Sequence, residues 1–150
     1  MYVRMAENGW KITMISNPKH GWCDFMLSDE KDNLFVGTPT YVTNVPVDLL
    51  QAFLDYKIKG KGIAWFNEEG TEFTLVLNPY SMFIITENEH TELIDFSEVN
   101  IDNLVKELIQ DIESDLIEWS MFYCSCYDEE EIKVNRELIR NLICQLKEKL

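Results

Sequence analysis

Four carboxylates, Glu107, Asp111, Asp115 and Glu118, follow one another at spacings of four, four and three residues. On an α-helix, at about 100° per residue, that spacing gathers them into one narrow stripe with neighbours roughly 5–6 Å apart. Like charges so arranged weaken a helix by about 0.2–0.5 kcal/mol per pair unless cations lie close by. The chemistry open to such a stripe is recognition of positive charge. Its spacing is near that of phosphates along a nucleic-acid strand, so a surface built to grip phosphates would accept it as a decoy. The aromatic run that follows, Trp119, Met121, Phe122, Tyr123 and Tyr127, offers apolar anchors beside the acids. Trp119 continues the apolar stripe of the same helix and reads as core. Phe122 and Tyr123 fit either burial between helices or the centre of a contact with a charged rim.

Two readings of the acids stand side by side. Lys133, Arg136, Arg140 and Lys147 line one side of the last helical segment, so an antiparallel helix pair would neutralise acidic and basic stripes within the chain. Against this stands the distribution of charge. Residues 87–131 hold fifteen acids and a single base, Lys106, for −14. Residues 1–86 hold ten acids and seven bases, for −3, and residues 132–150 two acids and five bases, for +3. The middle stretch alone therefore equals the net charge of the whole chain, −14. Four cations cannot offset fifteen acids. A field of this sign repels nucleic acid and anionic membrane and attracts a basic protein.

Nucleophilic and metal chemistry have less support. The chain has two histidines, His20 and His90, and only His20 stands near a nucleophile, in His20-Gly-Trp-Cys23-Asp24. Strand alternation over residues 22–27 turns Cys23 and Phe25 away from Trp22, which splits the residues that would wall a cleft. Cys23 is expected not to act as a nucleophile, and no catalytic residue is expected. Cys124 and Cys126 form one close pair, with Cys144 further on and no histidine after His90, which falls short of a four-donor zinc site. The irregular cysteine spacing reads as free thiols. Glycine-rich phosphate loops, Gly-x-Ser-x-Gly elbows and His-Glu-x-x-His helices do not occur, so neither metal nor cofactor is expected. Glu68, Glu69 and Glu72 read as solvated residues of a hairpin tip.

The elements that must position these groups follow from periodicity. Residues 10–16 read as a strand closed by Asn17-Pro18, with further strands at 22–27 and 34–36 and an edge strand at 40–43. Pro46 and Asp48 suit the first turn of a helix carrying Val47, Leu50, Phe53, Leu54 and Ile58, ended by Gly60 and Gly62. The period then changes to two, and residues 63–66, 73–77, 81–86 and 92–96 form an antiparallel meander. Asn100 caps a helix running to Trp119 on the stripe Ile101, Leu104, Val105, Leu108, Ile109, Ile112 and Leu116. A last helix starts near Asp128, with Ile132, Leu138, Ile139, Leu142, Ile143, Leu146 and Leu150 on one face. Strands grouped first and helices after them predict an α+β domain: an antiparallel sheet with helices packed on it and a C-terminal helix pair.

At 150 residues, 46% of them hydrophobic, the chain suits one domain with one core. Residues 1–8 lack the apolar stretch of a targeting signal, and no run approaches the roughly 20 apolar residues of a membrane span. A cytoplasmic location is expected, with no membrane or nucleic-acid partner.

A small acidic α+β domain carrying Glu107-Leu-Ile-Gln-Asp111-Ile-Glu-Ser-Asp115-Leu-Ile-Glu118 and then Trp119-Ser-Met-Phe122-Tyr123 resembles, in size, charge and layout, the small acidic bacterial immunity proteins. These bind and neutralise a toxin domain. The resemblance implies a protein-binding module that occludes a basic toxin or nuclease. Charge and spacing alone single out Glu107, Asp111, Asp115, Glu118, Phe122 and Tyr123 as its contact residues. The alternative is a scaffold or regulatory domain whose acidic face is merely solvated. A cysteine-dependent enzyme built on Cys23 is the third reading, and the aromatic segment would also suit a contact between two copies.

Overall fold

A computed structural model describes residues 2–5, 14–19, 21–28, 33–87, 91–123 and 128–150. Alternation of side chains across a pleated backbone builds its larger sheet. Strands β5 (Gly62–Asn67), β6 (Glu72–Leu77), β7 (Met82–Glu87) and β8 (Thr91–Asp95) form the expected antiparallel meander. Strand β1 (Tyr2–Met5) adds to the far edge, parallel to β8, which no local pattern announces. Asparagine side chains close two of the turns: Asn67 Oδ1 accepts from Glu69 N at 3.0 Å and Asn78 Oδ1 from Ser81 N at 2.9 Å. Each side chain replaces a backbone acceptor in a tight turn. One face of the meander, with Ala64, Phe66, Phe73, Leu75, Leu77, Ile84 and Ile94, is buried.

Helix α1 (Val45–Lys59) lies over that face. Its end is set by Gly60 in the left-handed region at φ 78°, whose N–H reaches Tyr56 O at 2.8 Å, a conformation that only glycine adopts without strain. At Gly62 helix and strand come so close that a Cβ would stand 2.0 Å from the backbone oxygen of Ala52. Lys57 forms an ion pair with Asp102, tying the end of α1 to the start of the next helix.

The smaller sheet has the order β2-β3-β4, from Ile15–Lys19, Trp22–Ser28 and Asn33–Gly37. Two expectations need correction here. Asn17 and Pro18 do not close a strand but lie inside β2, while residues 10–13 of the expected strand lie outside the described residues. Strand β2 is an edge whose register shifts between Ser16 and Lys19, the kind of place where a residue without an N–H is tolerated. Residues 40–43 form a turn rather than a strand, with only a Trp22–Thr40 bridge. The two sheets meet at Phe25, Phe66 and Phe73, whose ring centroids lie 5.0–5.8 Å apart. A polar bolt closes the seam. Glu68 Oε1 accepts from Thr38 N at 2.8 Å, Glu68 Oε2 from Thr71 Oγ1 at 3.0 Å, and Asn67 O from Thr40 N at 2.8 Å. Glu68 is thus a structural residue, not a solvated turn residue.

The expected helix from Asn100 to Trp119 is two helices, α2 (Ile101–Ser114) and α3 (Leu116–Phe122). Asn100 caps α2 as expected, accepting from Asn103 N at 3.1 Å. Asp115, at φ −140° and ψ 41°, interrupts the run. Ser114 Oγ bonds back to Asp111 O at 2.9 Å, and such side-chain competition for backbone groups weakens a helix end. Repulsion among the acids adds to it. Helix α4 (Glu129–Lys149) begins at Asp128, whose side chain accepts from Glu130 N at 3.0 Å. It packs on α1 and α3 and meets α2 through a 2.9 Å ion pair between Lys147 and Glu113. Asn135 locks this arrangement by accepting from Asn44 Nδ2 at 2.8 Å and donating to Ser120 O at 2.9 Å. The whole is α+β, and among the described residues no helix is long and apolar enough to cross a membrane.

Candidate functional site

Helix α2 buries Leu104, Val105, Leu108, Ile109 and Ile112, which turns Glu107 and Asp111 to the flank of that stripe, one turn apart and both half-buried. The Oδ2 atom of Asp111 is buried and has no hydrogen-bond partner. Burial, with the charge of Glu107 second, raises its carboxyl to about 6. Asp115 is exposed at the helix break and Glu118 is exposed on α3. The break means that the four acids do not share one continuous helical stripe; Glu107 and Asp111 do, and the other two follow after a change of direction. Among the described residues none of the four forms an ion pair.

The basic side of α4 does not neutralise them. Arg140 pairs with Glu137 of its own helix at 3.3 Å, and Lys147 with Glu113. Lys133 and Arg136 have no ion pair among the described residues, and Nε of Arg136 is buried without a partner.

The aromatic segment divides. Trp119 and Phe122 are buried at 1% and 2% exposure, with ring centroids 5.7 Å apart. Phe122 therefore belongs to the core and leaves the set of surface contacts. Tyr123, 43% exposed, remains at the surface, as does Ile117. Sequence reasoning could not separate Phe122 from Tyr123, because spacing alone does not show that α3 ends at Phe122, three residues after the buried Trp119.

Cys23 is buried, its thiol against Pro39 O at 3.8 Å. Burial, and secondarily Asp24, push that thiol well above its ordinary range, so it holds almost no thiolate at neutral pH. Cys144 is exposed and unbridged. His20, Cys124, Cys126 and Tyr127 lie outside the described residues. Among the described residues no group of three or more His, Cys, Asp or Glu side chains is placed to hold a metal ion. An open groove of about 510 Å³ runs between α2 and the end of α4, lined in part by Lys106, Glu113, Lys147 and Leu150. It is bridged by the Lys147–Glu113 pair.

Sequence reasoning missed the second face of the larger sheet. Ile63 is 67% and Trp65 41% exposed, and Val76, Phe83, Ile85 and Leu93 are half-exposed. The signal was present: strands that are apolar at both alternating positions need cover on both faces. Comparison with protein-family models, curated proteins and solved structures returned no match.

Proposed function

We propose that the chain is a protein-binding module of the immunity type, which occludes a basic toxin or nuclease with the acidic surface of α2 and α3. The supporting observation is Asp111: a half-buried carboxylate beside Glu107, with an unfilled buried acceptor and, among the described residues, no cation paired with it. Left alone, such a group is unfavourable. A partner lysine or arginine beside the carboxylate would stabilise its charge and pull its pKa down, so binding near pH 6 releases a proton. Asp115, Glu118 and the exposed Tyr123 extend the surface, and the net charge of −14 steers a cationic partner in a salt-dependent way. A face present only for solubility accounts for exposed acids but not for a half-buried, unpartnered one.

The test is co-purification with basic proteins encoded beside it, followed by association kinetics. Glu107→Lys with Asp111→Lys should slow association by about tenfold or more and flatten its dependence on salt. Association indifferent to both salt and these reversals sinks the proposal and leaves the scaffold reading.

A further inference from the structure

We propose that the outward face of the five-stranded sheet is a docking surface for an amphipathic, lysine- or arginine-flanked helix of a basic protein. Pleating and register put Ile63, Val76 and Phe83 in one cross-strand row and Trp65, Thr74, Ile85 and Leu93 in the next. Val76, Phe83, Ile85 and Leu93 are half-exposed, yet none of them packs against the core. The register makes them neighbours across the sheet, on the face opposite that of Ala64, Phe66, Leu75 and Ile84. Among the described residues no helix covers them.

The charges around this face name the occupant. Glu72 and Glu87 stand directly opposite each other in the next row of the same face, and like charges so placed destabilise a strand pair. Neither has an ion pair among the described residues. At the other end Asp95 stands opposite Phe83. Strands β5 to β8 contain no lysine or arginine. An apolar centre with acidic ends is the complement of an apolar stripe with basic ends. A second copy would lay Glu72, Glu87 and Asp95 against their equivalents, on chains that each carry −14. A helix suits the geometry, because the opposite face is already covered by α1 and a sheet apolar on both sides is completed by helices on both sides. About 14 residues make a helix roughly 21 Å long, enough to cross five strands spaced at about 4.8 Å. The surface is separate from the acids of α2 and α3, and the inference shares with the proposed function only the sign of the partner's charge.

The experiment titrates the full chain, labelled for amide spectra, with a synthetic leucine/lysine amphipathic helix; matched serine/lysine and leucine/glutamate peptides are controls. Saturable shifts at Ile63, Trp65, Val76, Phe83, Ile85 and Leu93, seen with the leucine/lysine peptide alone, are expected. Trp65→Ser with Ile85→Ser should weaken that binding by about tenfold, and Glu72→Lys should weaken it while raising resistance to urea. Glu107→Lys with Asp111→Lys should leave it within about twofold, since α2 packs on β2 and α3 rather than on the outward face of β5 to β8. Shifts confined to α2 and α3 overturn the inference and leave the proposed function intact. Equal binding of the leucine/glutamate peptide, or concentration-dependent shifts of β5 to β8 without any peptide, also overturns it.

Discussion

Glu68 and Asp111 are both half-buried carboxylates, but their surroundings are opposite. Glu68 receives an N–H from Thr38 and a hydroxyl from Thr71, and it lies over Gly37, where a Cβ would fall 1.7 Å from its Oε1. The chain has shaped a seat for it from a glycine and two donors. Asp111 has an empty buried oxygen and another acid for a neighbour. A carboxylate that serves the fold is given its donors by the fold. One left without them gains from a cation brought beside it from outside, and that is the physical content of the proposed binding surface.

The contrast breaks most sharply at Glu68. Glu68→Ala strands the Thr38 N–H at the seam between the sheets and should destabilise the chain by about 2–3 kcal/mol in urea denaturation. Glu68→Gln keeps an acceptor and should recover about half of that or more. Gly37→Ala displaces Glu68 from its seat and brings a methyl to 3.2 Å from Phe73, so its effect should fall between the two. A Glu68→Ala chain as stable as the parent would remove the structural half of the comparison.

At Asp111 the sign reverses. Its folded pKa of about 6 lies above the ordinary 3.8, so the folded chain holds the proton more tightly than the unfolded one. The carboxyl therefore counts against folding fully above pH 6, progressively less as pH falls towards 4, and not at all below. Asp111→Asn should stabilise the free chain by about 1–2 kcal/mol at pH 7, allowing for solvent at a half-exposed site, with no difference from the parent at pH 3.5 or so. The same substitution should weaken capture of the basic partner. Stabilisation that persists unchanged at low pH shows that the effect is not electrostatic.

Much of the scaffold was legible because it is local. Period-two alternation marked β5 to β8, Pro46 and Gly60 bounded α1, and Asn100 and Asp128 announced two helix starts. What escaped was decided across the molecule. The apolar stripe runs through Leu116 and Trp119 as if unbroken, so the interruption at Asp115 was invisible to periodicity. The parallel seat of β1 beside β8 joins residues about ninety positions apart. Glu68 looked like any hairpin-tip acid until the smaller sheet came against it. For the binding surface, the sequence marked Asp111 by its spacing, but only burial distinguished it from the exposed Asp115 and Glu118.

Cys23 carries the comparison to a third titratable group, fully buried where Glu68 is half-buried, and here the smallest effect is expected. The residue is 2% exposed, its thiol makes a weak contact to Pro39 O, and its pKa is pushed up by burial. A thiol in that state neither attacks nor is readily alkylated, because the reactive species is the thiolate. Under native conditions iodoacetamide should label the exposed Cys144 and leave Cys23 untouched until the chain is unfolded, as read by peptide mass mapping. Cys23→Ser exchanges a buried sulfur for a hydroxyl of similar shape that can still donate to Pro39 O, so it should lower stability by about 1 kcal/mol or less and leave partner capture unchanged. Labelling of Cys23 ahead of Cys144, or loss of function in Cys23→Ser with the fold intact, would return the cysteine-dependent reading to first place.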